Sequence, residues 1–275
     1  MKFATAQTVV SSDIAANGNA IRTMIREAAA SGARLIGFCE GALSGYAKAQ
    51  ITDWATFDWI AQEAELRSVA ALCGALHIHA VVGGAHRLAD GSLPHNSLYV
   101  FSDLGTLTTR YDKRFLSNSE VSDWYAPGSV PVVFEVDGYS FGCALCIECQ
   151  FPEIFGDYER MGVDGVIFAS YGLPEHFEIA LRAHAGLNCV WIGAATPAQK
   201  APKGPAGNIG PDGRWINRCS ATPAPGMVMA RLDRKDPLYD VALQKARPWR
   251  AKARQGDIYR ERMTDHRRTR NRQDY

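Results

Sequence analysis

No stretch of the chain reaches the roughly 20 consecutive apolar residues that a helix needs to cross a bilayer. The opening Met1-Lys2-Phe3-Ala4-Thr5-Ala6-Gln7-Thr8-Val9-Val10 lacks the apolar segment of a secretory signal. The expectation is a soluble cytoplasmic protein with no membrane partner. Net charge is missing as well. Thirty Lys and Arg against 29 Asp and Glu leave +1, too little for the positive field of a nucleic-acid binder, so no nucleic-acid partner is expected. Cysteine is sparse and odd in number, seven in 275 residues, which fits reduced thiols better than a disulfide framework. A fixed-period repeat and a long polar interior linker are also absent, so one domain over 1–275 is expected.

The near-zero charge hides an asymmetry. From Lys245 to Tyr275 there are 11 Lys and Arg against four Asp and Glu, leaving about −6 for the remainder. The segment from about 240 to 275 therefore reads as an extended basic C-terminal arm, for which a solvated terminus is the ordinary interpretation.

What is present is a 47% apolar chain, long enough to bury a large core. FATAQTVV reads as a strand, and Ile21, Met24, Ile25 and Ala28 recur at helical spacing before Gly32, a natural helix stop. RLIGFCE follows as a buried strand ending at Glu40. The pattern continues with a helix in AELRSVAALCGALHI, a strand in AVVGGAHRL and two strands about a Gly-containing turn in NSLYVFSDLGTLTTRYDK. PVVFEVDGYSFGCALC predicts a strand pair and FPEIFGDYERMGV a helix opened by Pro152. GVIFAS predicts a strand, EHFEIALRAHAGLN a helix and CVWIGAA a strand. Helices between strands predict a layered α/β fold with the helices outside the sheets. AATPAQKAPKGPAGNIGPDG, rich in Pro and Gly, reads as a surface loop bordering the site.

The densest chemical signal is FGCALCIECQFPEIF. Cys146 falls where a strand gives way to a turn and then a helix, a placement that can aim backbone N–H groups and a helix N-terminus at a thiolate. Taken alone, the segment fits an inert core cysteine equally well. Cys143, Cys146 and Cys149 also form the start of an iron–sulfur ligand run, but the fourth cysteine is missing and neighbouring strand residues face opposite sides. Glu40 at a strand end could act as a general base if burial raises its pKa. Lys113 in RYDKRF could stabilise an anion formed at a carbonyl. Each of these two is also unremarkable as a lone residue.

Together, FCEGALSGY, RYDKRFL and GCALCIECQFPEIF resemble, in order, the three motif blocks of the nitrilase superfamily of carbon–nitrogen hydrolases, and the likeness spans nearly the whole chain. The resemblance implies a four-layer α-β-β-α sandwich, no metal or organic cofactor, and a homodimer or higher homo-oligomer joined through the helices outside the sheets. It carries the catalytic glutamate, lysine and cysteine onto Glu40, Lys113 and Cys146. A second glutamate is best matched by Glu120, with Asp123 as the competing carboxylate. The backbone N–H of Ile147 would join Lys113 at the oxyanion, and Tyr46, Trp124, Tyr171 and His176 are candidates to line the pocket. Glu148 and Gln150 stand where Asp and Arg are frequent. The implied activity is cleavage of a small non-peptide amide through a cysteine thioester. Alternatives are N-carbamoyl amidase or nitrile hydrolysis and, from another class, an iron–sulfur or non-catalytic binding protein.

Overall fold

The computed structural model describes residues 1–89, 91–264 and 273, and the chain divides into two compact units, Met1–Asp233 and Arg234–Tyr275.

The first unit holds two six-stranded sheets. In the first, β1 (Lys2–Gln7), β2 (Leu35–Gly37) and β3 (His79–His86) run parallel. β4 (His95–Phe101) and β5 (Leu107–Asp112) extend that sheet antiparallel on one side. The second sheet repeats the plan, with β7 (Tyr139–Leu145), β8 (Gly165–Ala169) and β9 (Trp191–Ala195) parallel and β6 (Val133–Val136) antiparallel to β7. β10 (Gly207–Ile209) and β11 (Trp215–Arg218) complete it beyond β9. The chain then returns as β12 (Gly226–Arg231) to pair with β1. The central parallel strands β8 and β9 are apolar with every residue buried, as expected of strands covered on both faces.

The outer face of the first sheet is covered by α1 (Ile14–Ala30) and α2 (Trp59–Leu76), whose apolar residues join one core cluster with β1 to β4. α1 begins at Asp13, whose carboxylate accepts the Ala16 N–H at 3.0 Å. It stops at Gly32, where φ is +80°. α4 (Pro152–Arg160) and α5 (Glu175–Asn188) cover the second sheet with their own cluster. Between α2 and α4 lies only the short α3 (Asn118–Asp123). The inner faces of the two sheets meet directly. A Cβ on Gly193 would lie 2.5 Å from the Phe3 ring, and one on Gly37 would lie 2.9 Å from Ile167. The architecture is the layered α/β fold that the helix-strand pattern predicted, in the four-layer α-β-β-α form that the resemblance implied.

Two expectations change. The Pro- and Gly-rich segment after β9 is not a surface loop. Ala198, Ala201 and Ala206 are buried, Ala198 N–H bonds Thr8 O at 2.8 Å, and the run contains β10. Its backbone donors find partners at the end of β1, which is what allows it inside. The basic arm, so far as it is described, is helical rather than drawn out, with a π-helical turn Asp240–Ala246, α6 (Arg247–Gln255) and α7 (Asp257–Arg260). Residues 265–272, 274 and 275 of the arm lie outside the described residues.

Candidate active site

Open α/β sheets bind ligands beyond the carboxyl ends of their parallel strands, and four segments leave the sheets there. Glu40 follows β2 by three residues, Lys113 follows β5 directly, Cys146 follows β7 directly, and Ser170 and Tyr171 follow β8. Period-two alternation places Tyr111 and Lys113 on the same side of the β5 line, and both are fully buried. The backbone closes tightly around these turns. Gly83 has no room for a side chain, since a Cβ would come 2.2 Å from Cys39 O, and at Gly128 it would come 2.3 Å from Asp112 O while the Gly128 N–H bonds Lys113 O at 2.8 Å.

Lys113 Nζ lies 2.9 Å from Glu40 Oε1 and 2.8 Å from Glu120 Oε1. None of the three side chains is more than 2% exposed, so each charge has lost its water and depends on the others. Asn96, pointing inward from β4, donates to Glu40 Oε1 at 2.8 Å and to Glu120 Oε1 at 3.3 Å. Tyr171 N–H donates to the other Glu40 oxygen at 2.9 Å.

Of Glu120 and Asp123, it is Glu120 that faces Lys113. Glu120 is the third residue of α3 and closes a capping box, its Oε2 accepting the Ser117 N–H at 2.8 Å. That turns its carboxylate inward to Lys113, whereas Asp123 is exposed.

The two buried carboxyls are driven apart. Burial, reinforced by the Glu120 charge, raises Glu40 above the usual carboxylate range despite Lys113 and Asn96. At Glu120 burial pushes the same way, but Lys113 and the donors of Ser117 outweigh it and hold the group below that range. Glu40 is thus the more basic of the pair, and pairs split in this way mark acid–base assignments. Burial works against the Lys113 ammonium, yet Glu40, Cys146 and Glu120 keep its pKa well above the ordinary lysine value, so it stays charged.

Cys146 opens a five-residue 3₁₀ turn, Cys146–Gln150, with φ of +50°. A left-handed conformation in a residue with a Cβ stores about 1 kcal/mol or more and recurs at functional sites. The sequence pointed to a thiolate at a helix N-terminus. The structure keeps that order of strand, turn and helix, with the 3₁₀ turn set between Cys146 and α4, which begins at Pro152, and burial together with the Glu40 charge pushes the half-buried thiol up to about 12. Lys113 and Ser170 pull it down without overcoming these. The sulfur therefore carries its proton in the free protein and needs a base when it attacks.

Among the pocket candidates, Tyr46 and Tyr171 stack with ring centroids 4.3 Å apart and planes at 7°. Tyr46 is close enough for the Glu40 charge, together with burial, to raise its hydroxyl. Trp124 instead packs edge-on against Trp54 at 6.2 Å, and His176 is exposed beside Phe177. Neither is among the residues brought together here. Cys143 and Cys149 are buried, and among the described residues no three of His, Cys, Asp and Glu gather so as to hold a metal ion. A cavity of about 710 Å³ lies against α2 and is lined by Gln62, Leu66 and Tyr99, on the face of β4 opposite Asn96.

Sequence reasoning missed Asn96 and the Tyr171 N–H, and noted Glu148 only as a departure from the family motif. The last is wholly buried and bonded to the backbone on both sides of the site. Ser117-x-x-Glu120 was a readable signal for the second acid, while Asn96 in HNSLYVF was visible only as a polar residue in an otherwise apolar strand.

The carbon–nitrogen hydrolase family model matches residues 2–237. The chain belongs to that family of carbon–nitrogen hydrolases. It is 27% identical to omega-amidase NIT2 of Xenopus tropicalis over 205 residues, covering 70% of this chain and 73% of that one. A mutant of the amidase from Nesterenkonia sp. AN1 carrying a Michael adduct of acrylamide at its active-site cysteine superposes with TM-score 0.75 at 20% identity, covering 90% of this chain and 99% of that one. Another mutant of the same amidase, in complex with butyramide, gives TM-score 0.77 at 18% identity, covering 96% and 97%.

Proposed function

We propose that this chain hydrolyses a small non-peptide amide through a thioester on Cys146. The observation that carries the reading is the buried Glu40–Lys113–Glu120 cluster, whose charges all act on the Cys146 thiol. Cys146 Sγ attacks the amide carbonyl while its proton passes to Glu40, the more basic carboxylate. The Lys113 ammonium and the Ile147 N–H stabilise the oxyanion. Glu40 returns the proton to the departing nitrogen, and the C–N bond breaks to leave the acyl group on sulfur. Glu40 then takes a proton from a water molecule as that water adds to the thioester, releasing the carboxylic acid and restoring the thiol. Glu120 stays ionised and holds Lys113 in place. Tyr46 and Tyr171 flank the substrate.

A small amide suits the enclosed setting of the cluster, and the acrylamide adduct and butyramide complex of the Nesterenkonia amidase support the same substrate class. The working form is a homodimer or larger homo-oligomer, one catalytic domain per chain, with the basic arm reaching a neighbouring subunit. Exposed Ile179 and Leu187 on α5 support such pairing of outer helices. Light scattering at micromolar concentration tests it, and a monomer with or without the last dozen residues contradicts it.

Ammonia release from a panel of aliphatic amides, amides of dicarboxylic acids, N-carbamoyl amino acids and nitriles tests the substrate class. Turnover of amides well above the other groups is expected. Release from nitriles or carbamoyl compounds alone would overturn the amide assignment.

A further inference from the structure

The mechanism gives Glu148 no step, yet its carboxylate ties the two sheets together at the reacting groups. Oε1 accepts the backbone N–H of Arg114 at 2.7 Å and of Phe115 at 3.1 Å, the two residues that follow Lys113. Oε2 accepts the N–H of Leu145, the residue before Cys146, at 2.7 Å. The Tyr111 hydroxyl, two residues before Lys113, lies 2.9 Å from both oxygens. Burial raises the Glu148 carboxyl, and the N–H groups of Leu145 and Phe115 counter it.

Lys113 leaves a strand of one sheet and Cys146 a strand of the other. No β-ladder fixes the distance between them, and a misplacement of about 1 Å can cost about 10²-fold in rate. We propose that Glu148 is a positioning residue that sets the place of the Lys113 ammonium relative to the Cys146 sulfur, and so the point where the oxyanion is stabilised. The inference rests on the assignment of Cys146 and Lys113 to amide chemistry.

Glu148→Gln keeps the size of the side chain but replaces one acceptor oxygen with an NH₂, which must face either the Leu145 N–H or those of Arg114 and Phe115. One side of the tie is lost. The test is single-turnover acetylation of Cys146 by p-nitrophenyl acetate, followed by mass and normalised to the fraction of protein that can be acylated. In the native background Glu148→Gln should slow acylation about 10²-fold with KM changed less than about 3-fold. In Lys113→Met, where there is no ammonium left to misplace, the same substitution should cost less than about 3-fold, because effects carried through one group do not add. Glu148→Asp, which keeps the charge but shortens the reach, gives the same comparison if the glutamine variant folds poorly. An equal loss in both backgrounds, or no loss in the native one, overturns the proposal. Failure of the native protein to acquire acetyl on Cys146 overturns the underlying site assignment instead, and shows before any variant is made.

Discussion

Lys113 Nζ and Glu40 Oε1 lie 2.9 Å apart with neither side chain exposed to solvent, although 73 residues separate them in sequence. An ammonium in that position is tolerable only because two carboxylates face it, and two carboxylates so close are tolerable only because the ammonium lies between them. The cluster is one electrostatic unit, and each of its members can be tested through the others.

Lys113→Met removes the shared cation and leaves Glu40 and Glu120 facing each other in a dry interior. Urea unfolding should show a loss of about 3–5 kcal/mol, and kcat for an amide should fall about 10²–10³-fold. Adding Glu120→Gln should recover part of the stability, because one uncompensated charge disappears, while leaving the rate low. Purely additive stability changes would contradict a single coupled unit.

Glu40→Gln separates electrostatics from proton transfer. The Glu40 charge raises the Cys146 thiol, so its removal should move the pH profile of iodoacetamide alkylation at Cys146 to lower pH. Amide turnover should nevertheless fall about 10²–10⁴-fold, since the base is gone. An alkylation profile that stays put or moves upward would show that Glu40 does not face the thiol.

The acid limb of stability isolates Glu120. Its folded pKa is depressed, with Lys113 and Ser117 prevailing over burial. Its contribution is therefore complete above the unfolded glutamate value of about 4.3 and is lost as pH falls through the lower folded value. Stability of native protein minus Glu120→Gln should accordingly shrink as pH drops below that value. Asp123→Asn, on the exposed side of α3, should change stability by less than about 0.5 kcal/mol and leave turnover intact. A pH-independent difference for Glu120, or a large effect at Asp123, would reverse the choice between the two acids.

The layered fold was legible because its strands are short apolar runs and its helices carry period-3.6 faces bounded by stop signals such as Gly32. The ends of those elements made Glu40, Lys113 and Cys146 candidates, and the resemblance to three ordered motif blocks singled them out. What local pattern did not convey was how the two sheets meet. Tyr171 reaches Glu40 across 131 residues and Glu148 reaches Arg114 across 34, through register and packing that no single segment encodes. Of the pocket candidates, Trp124 packs edge-on against Trp54 and His176 stands exposed in the first turn of α5. The environment of the Cys146 thiol was hidden for a similar reason. Its setting depends on burial and on Glu40, brought in from a different sheet, and not on the helix that follows it in sequence.

The central claim is that Cys146 alone carries the acyl group. The direct measurement is peptide mass spectrometry of protein quenched during turnover of a good amide substrate, made alongside Cys146→Ala, Cys143→Ala and Cys149→Ala. The account predicts acyl mass on the Cys146 peptide, no turnover in Cys146→Ala, and turnover retained in the other two, whose sulfurs are buried in the core. Acyl mass on Cys143 or Cys149, or full activity in Cys146→Ala, would contradict it.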